Sequence, residues 1–450
     1  MIKKVLIANR GEIAVRIIRA CREMGIETVA VYSVADKEAL HTQLADEAIC
    51  IGPSPSTESY LRMEQILSAT LVSGADAIHP GFGFLSENSK FAQLCEQCHI
   101  TFIGPNAEVI EKMGDKAKAR EVMEKAGVPI IPGSKGAVYK IEEGKREAKE
   151  IGYPVIVKAA LGGGGKGMRV AYKEEEFESS FTTAQKEAKN AFGDDKMYIE
   201  HFVENPRHIE FQILADEYGH IIHLGERDCS IQRNHQKMIE EAPSTAIDDS
   251  LRERMGEAAI RAARAADYVN AGTIEFLLEK TGAFYFMEMN TRIQVEHPVT
   301  EWVTGMDLIK EQIKIASGLE MKWEQKDVQL KGYAIECRIN AECPEENFRP
   351  SPGLITDVYL PGGQGVRMDT AIYNGYVVPP YYDSMLAKLI VHGNSREEAI
   401  AKMRSALGEV IIEGIDTNVD FQYSIMEHED YQSGEYDIDF IEKVLKKEKG

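Results

Sequence analysis

The sequence predicts a multidomain protein of mixed α/β and α+β class, with a Rossmann-like first domain and an α+β last one. Three observations carry this. A chain of 450 residues exceeds what one hydrophobic core organises, so about two to four domains are expected. Its opening alternates strand, helix and strand. From Lys331 onward, short strands and Pro/Gly turns lead to a helix whose Ser395 and Glu398 have capping-box spacing.

In chain order, a strand over Lys3 to Ala8 is followed by a turn over Asn9 to Glu12, a helix over Ile13 to Met24 and a strand over Thr28 to Tyr32. That first turn offers only Gly11 where a dinucleotide site needs G-x-G-x-x-G, so a Rossmann-like fold without NAD is expected. After the strand Ala75 to Ile78 comes a glycine-punctuated loop, His79 to Phe84, a position where α/β sheets place binding residues. The second region opens at Gly114-Asp-Lys116 with a helix over Ala117 to Lys125; the third starts with the strand Lys331 to Asn340. Domain boundaries are accordingly placed at 1–113, 114–330 and 331–450.

Composition narrows the function. With 52 basic against 73 acidic residues the net charge is -21, which repels nucleic acid and anionic membranes, so neither is an expected partner. No apolar run is long enough to span a bilayer, and the first ten residues hold just the short apolar stretch Val5 to Ala8, so the chain is expected to be cytoplasmic. Seven scattered cysteines read as reduced thiols. Cys95-Glu-Gln-Cys98-His99 matches the text of a haem-attachment motif, but it lies at a helix end leading into a strand with no second ligand pair nearby.

Two segments carry chemistry. The strand Pro154 to Lys158 runs into Gly162-Gly-Gly-Gly-Lys166-Gly167, whose backbone N–H groups can meet an anion. The segment fails the P-loop pattern, since Ala160 stands for the first glycine and Gly167 for Ser or Thr, and it also suits a plain hairpin turn. Lys158 favours phosphate, because a cation inside an apolar strand needs an anionic partner. The second segment, Thr273 to Arg292, reads as two strands joined at Thr281-Gly282. If Lys280 faces Ala283, Glu275 lies opposite Glu288, and their repulsion is relieved by a hard cation such as Mg²⁺. Asn290 shares the face of Glu288, and Arg292 continues it toward an anionic substrate. Just beyond, Glu296 is placed to act as a general base. The polar stretch Glu226 to Pro243 is expected as an exposed loop, and the Glu336, Arg338 and Asn340 face of its strand as a solvated one.

Taken together, Ile7-Ala-Asn-Arg-Gly-Glu12, His79 to Glu87, Met113-Gly-Asp-Lys116, the Gly162 to Gly167 loop, Glu226 to Ser230, Glu288 to Pro298 and Glu336 to Glu342 resemble the ATP-grasp superfamily. Within it, the chain resembles the biotin carboxylase components of bacterial acetyl-CoA carboxylases over essentially its whole length. The resemblance implies a central ATP-grasp domain with a mobile lid at about residues 132–203, closing over nucleotide to exclude water. It implies ATP contacts at Lys116, Lys158, Gly164, Gly165, Lys166, Gly167, His208, Gln232, His235, Glu275, Leu277 and Glu288, with a hinge at the adenine over Glu200 to Val203. Glu275, Glu288 and Asn290 would hold Mg²⁺ or Mn²⁺, two ions being expected.

Bicarbonate would lie among Lys237, Arg292, Gln294 and Val295, with Glu296 as its base and carboxyphosphate as the product; Arg338 would stabilise the biotin enolate, near Phe82 and Gly83. The implied function is ATP-dependent carboxylation of biotin, the first half-reaction of acetyl-CoA carboxylase in fatty acid and malonyl-CoA synthesis. Implied partners are a biotin carboxyl carrier protein, carboxyltransferase subunits and a second copy of the chain in a homodimer. Ala401-Lys-Met403 sits in a helix rather than a carrier segment, so biotin is expected from another polypeptide. Two departures, Phe82 where relatives often have Tyr and Lys166 where some have Arg, remove no catalytic group. Another ATP-grasp carboxylate–amine ligase, or a non-catalytic ATP-binding regulator, are the alternatives; bicarbonate- and biotin-dependent ADP release separates them.

Overall fold

The computed structural model describes residues 2–134, 136–159, 168–192 and 195–448. The chain forms two compact units, one of Met1–Val128, Arg207–Phe276 and Met287–Gly450, the other of Pro129–Pro206 and Leu277–Phe286.

The first unit begins with strands β1 (Lys4–Ile7), β2 (Glu27–Ser33), β3 (Glu47–Gly52), β4 (Ala77–His79) and β5 (Thr101–Phe102), joined in a parallel sheet of order β3-β2-β1-β4-β5. Val5, Leu6 and Ile7 are fully buried, as expected for a parallel strand covered on both faces. The order reverses between β1 and β4, and their carboxyl ends open on a crevice of the kind in which α/β sheets bind ligands. Gly11, at φ +67°, opens the helix Gly11–Glu23, so this helix starts inside the stretch expected as a turn.

A larger sheet supplies the rest of the frame. Its strands are β9 (Arg207–Ala215), β10 (Ile221–Arg233), β11 (Gln236–Ala242), β12 (Asn270–Leu278), β13 (Phe284–Asn290), β14 (Tyr333–Asn340), β15 (Val366–Thr370) and β16 (Met385–Gly393), in the order β13-β12-β9-β10-β11-β14-β16-β15. The stretch expected as an exposed loop, Glu226 to Pro243, forms most of β10 and β11 at the middle of this sheet. Several of its polar groups find partners inside the fold. Arg252 donates to Glu226 at 2.7 and 2.8 Å, and Arg207 and Ser244 donate to Asp228 at 3.0 and 2.7 Å. Asn234 and His235, at φ +49° and +64°, make the two-residue turn between paired Arg233 and Gln236, a left-handed geometry that suits the twist of a hairpin.

In the second unit, β6 (Val155–Ala159), β7 (Met168–Ala171) and β8 (Met197–His201) form an antiparallel sheet of order β7-β6-β8. Phe177 and Phe181 pack on it with Val155, Val157, Met197 and Ile199. Among the described residues no helix is long and apolar enough to cross a membrane. Cys21, Cys50, Cys95, Cys98, Cys229, Cys337 and Cys343 are free thiols. Cys95 is buried in the helix Ser89–Gln97, with His99 just past its end, as the structural reading of that motif expects.

Candidate active site

The site grows from the central strands of the large sheet and from the turn that follows β13. Arg227 on β10 is its foundation, a fully buried guanidinium whose five N–H groups all find acceptors. Nε donates to Glu210 at 2.5 Å, Nη1 to Gln212 at 2.7 Å and Thr300 at 3.0 Å, and Nη2 to Thr273 at 3.2 Å and Gln294 at 2.8 Å. Gln294 is thereby fixed, and its Nε2 donates onward to Glu275 at 2.9 Å.

Above this layer lies a buried ionic cluster. Lys237 Nζ on β11 donates to Glu210 at 2.5 Å, Glu275 at 2.9 Å and Glu296 at 2.7 Å, using all three of its protons. Burial alone would lower the Lys237 pKa, but the three carboxylates hold it well above the ordinary lysine value. The second oxygen of Glu296 accepts from Arg338 Nη2 at 2.9 Å. Glu296 is 2% exposed, and burial would push its carboxyl up; Lys237, Arg338 and Arg227 outweigh that and hold it well below the usual range. Both neighbouring cations therefore favour its charged form. Glu296 also stands at the amino end of the helix His297–Thr304, whose dipole favours negative charge there.

Arg338 is anchored twice, because its Nε also donates to Glu240 at 2.6 Å. The face of β14 expected to be solvated is therefore interior. Glu336 is fully buried and the Arg338 side chain is 16% exposed, because this face lies beneath the helix His297–Thr304.

At the expected metal position, Glu275 Oε1 accepts from Asn290 Nδ2 at 2.8 Å, and Glu275 Oε2 lies 3.0 Å from His208 Nε2. Burial raises the Glu275 carboxyl, but Lys237 and then His208 outweigh it and keep the group well below the ordinary value. Glu288 is raised, first by burial and next by the charge of Glu275, which shows the two carboxylates within electrostatic reach. The expected turn does not hold: Glu279 N–H donates to Ala283 O at 2.8 Å, so Lys280, Thr281 and Gly282 form the loop and Lys280 does not face Ala283. A three-residue turn with Gly282 at φ +82° takes one residue more than the two-residue turn assumed.

Two mutually repelling carboxylates and an amide are hard oxygen donors, and they fit Mg²⁺ or Mn²⁺. Asn290 Oδ1 accepts from Arg292 Nη2 at 3.0 Å. Arg292 Nε donates to Glu87 at 2.8 Å, and Thr291 N–H donates to the other oxygen of Glu87 at 3.1 Å. Lys116 starts the helix Lys116–Lys125, which Asp115 caps, and its Nζ lies 3.8 Å from Glu288.

A cavity of about 500 Å³ adjoins the cluster, lined by Asn9, Glu12, Phe82, Gly83, Val295 and Arg338 among others. Asn9 Nδ2 donates to the carbonyls of Pro80 and Phe82, both at 2.7 Å, and so clamps the loop after β4 against β1. Gly81, at φ +61°, is needed there, since a Cβ would come within 2.9 Å of that amide. Lys388, fully buried, donates to the Val295 carbonyl at 2.9 Å and fixes the turn that presents Glu296.

Of the remaining sequence-predicted residues, Gln232 is buried at the end of β10 and His235 is exposed at the hairpin tip. Lys158, Glu200, Val203 and Leu277 belong to the second unit. The partner that Lys158 requires is internal, the carboxylate of Glu200, two residues along the paired strand from its opposite neighbour Tyr198. Gly164, Gly165, Lys166 and Gly167 lie outside the described residues. Sequence reasoning missed Arg227, Glu210, Glu240, Glu87 and Lys388. Arg227 stood within a quoted motif, Glu226 to Ser230, yet nothing local marks a residue whose partners come from four other segments.

The N-terminal domain model of biotin carboxylase matches residues 1–110, the ATP-binding domain model of the carbamoyl-phosphate synthase L chain matches 115–324, and the C-terminal domain model of biotin carboxylase matches 336–443. Biotin carboxylase 1 of Bacillus subtilis is 60% identical over 443 residues, covering 98% of each chain. Among solved structures, the biotin carboxylase subunit of a pyruvate carboxylase superposes with a TM-score of 0.94 at 52% identity, covering 99% of each chain. The biotin carboxylase domain dimer of Hydrogenobacter thermophilus 2-oxoglutarate carboxylase, solved with MgADP, ADP and bicarbonate, gives 0.85 at 51%, covering 98% of each. Consecutive family models and high identity from end to end agree with the buried cluster around Glu296: the chain belongs to the biotin carboxylase family of ATP-dependent ligases.

Proposed function

We propose that the ionic cluster activates bicarbonate for phosphorylation and that the adjoining cavity receives the biotin ring. The observation that carries this reading is Glu296, a buried carboxylate held between Lys237 and Arg338, beside the oxygen donors Glu275 and Asn290. Bicarbonate is bound by Lys237, Arg292, Gln294 and the backbone at Val295, and Glu296 removes its proton. At rest Glu296 is a weak base. An anion entering between it and the two cations takes a share of their charge, which raises its proton affinity when the proton moves.

The deprotonated oxygen attacks the γ-phosphorus of ATP, ADP leaves, and carboxyphosphate forms. Its breakdown yields CO₂ and phosphate; the phosphate takes the N1 proton of biotin, Arg338 stabilises the enolate oxygen, and N1 captures CO₂. Glu275, Glu288 and Asn290 would hold Mg²⁺ or Mn²⁺, which supplies neutralisation of triphosphate charge. In this reading Lys116, Lys158, Gly164, Gly165, Lys166, Gly167, His208, Gln232, His235 and Leu277 contact the nucleotide, and Glu200 to Val203 form the adenine hinge. The domains are 1–113, 114–330 with the lid at about 132–203, and 331–450.

Phe82 and Gly83 line the biotin cavity. Biotin is presented by a separate carrier protein, and carboxyltransferase subunits complete acetyl-CoA carboxylase. The solved dimer with MgADP and bicarbonate supports a homodimer using these same ligands. The test incubates the protein with MgATP, labelled bicarbonate and free biotin, and assays carboxybiotin. Glu296→Gln should abolish product while ATP still binds; equal product from that variant refutes the assigned base.

A further inference from the structure

Beneath Arg338 lies a second pair of acids that the reaction described above does not use. Glu240 on β11 and Glu336 on β14 are direct cross-strand partners in the antiparallel register, and both are fully buried. Two facing carboxylates in that position repel, and burial multiplies the cost. Glu240 Oε1 accepts a hydrogen bond from Arg338 Nε at 2.6 Å and lies 2.5 Å from Arg338 Nη2 as an ion pair. Glu240 Oε2 and both oxygens of Glu336 have no hydrogen-bond partner. Lys388, which faces Arg338 across β14 and β16, directs its Nζ to the Val295 carbonyl at 2.9 Å and toward Glu12 at 3.3 Å, and makes no hydrogen bond to Glu336.

One shared proton joins two of these three orphaned oxygens and removes the repulsion. We propose that Glu336 is held protonated, that it donates this proton to Glu240 Oε2, and that the pair is the positioning device that fixes the plane of Arg338 beside Glu296. Glu240 carries the negative charge because it is the member bonded to the guanidinium. Burial, the largest influence on both, raises Glu240 to about 7 and Glu336 well above its ordinary value. The charged groups that bear on the pair are Lys388 from β16, Arg338 from β14, Lys237 from β11 and Glu296 at the start of the helix His297–Thr304. The proposal rests on the assignment of Arg338 as the group that meets the biotin oxygen. With one edge of its guanidinium tied to Glu240, Arg338 can release Glu296 and turn to substrate without losing its seat.

The test has two independent arms. The first needs no activity: an infrared difference spectrum of the wild-type protein minus Glu336→Gln at neutral pH should contain the carbonyl stretch of a protonated carboxyl. Its absence overturns the shared proton even if the enzyme is fully active, so this failure is distinct from failure of the proposed reaction. The second compares kinetics. Glu336→Gln, a neutral donor of the same shape, should keep kcat within about twofold and leave the pH profile in place. Glu336→Leu should lower kcat at least tenfold and raise the KM for biotin, with the KM for MgATP unchanged. Glu336→Leu with wild-type kinetics, or Glu336→Gln as impaired as Glu336→Leu, overturns the positioning role. If the leucine variant fails to fold, the spectrum and the glutamine variant still decide.

Discussion

Replacing Arg338 by Gln removes one of the two cations that hold Glu296 as a carboxylate, and the consequence can be worked from the geometry. The guanidinium and carboxylate are joined at 2.9 Å, with charge centres ~4 Å apart. At an effective dielectric of ~20 that attraction is about 4 kcal/mol, equivalent to about three pH units. Lys237 stays in place at 2.7 Å and solvent and side chains relax, so a rise of about one to two units is expected. The sign follows directly. Arg338 favours the charged form of Glu296, so its loss raises the pKa, and the base is protonated at higher pH than in the wild type. The assay is the pH dependence of kcat/KM for bicarbonate, which reports the free enzyme. The acid limb contributed by Glu296 should stand about one to two pH units higher in the variant than in the wild type. Arg338→Gln also slows carboxyl transfer, so the position of the limb is read, not its height. A limb that stays at the wild-type position would refute the claim that Arg338 sets the charge state of Glu296.

Further outcomes follow from the same structure. Arg227→Lys keeps the charge but loses the planar fork that serves Glu210, Gln212, Thr273, Gln294 and Thr300, and should cost about 3–5 kcal/mol in urea unfolding. Asn9→Ala frees the Pro80 and Phe82 carbonyls; it should raise the KM for biotin several-fold, with about 1 kcal/mol lost in stability and nucleotide affinity unchanged. Chelation should abolish carboxybiotin formation, with recovery on adding Mg²⁺ or Mn²⁺, and Glu288→Gln should shift that metal titration to higher concentration.

What the sequence disclosed was what lies close along the chain. The β1–helix–β2 opening and the row Glu288, Asn290, Arg292 follow from periodicity, and the loop after β4 from its glycines. Glu296 and Arg338 were legible as candidates through motif resemblance, but not their shared ion pair, which joins residues 42 positions apart. The interior position of Glu226 to Pro243 was hidden because its polar side chains read as solvated, whereas Arg207, Arg252 and Ser244 satisfy them from elsewhere. Glu336 and Arg338 misled in the same way: alternation along β14 shows which residues share a face, but not that a helix covers it. The turn at Lys280 to Gly282 turned on a single residue, the difference between a two- and a three-residue hairpin.

The central claim is that bicarbonate itself, deprotonated at Glu296, attacks ATP. Bicarbonate labelled with ¹⁸O, supplied with MgATP and biotin in unlabelled water, tests it through mass analysis of the released phosphate. One labelled oxygen per phosphate, lost together with turnover in Glu296→Gln, is the predicted result. Unlabelled phosphate accompanying carboxybiotin would contradict it.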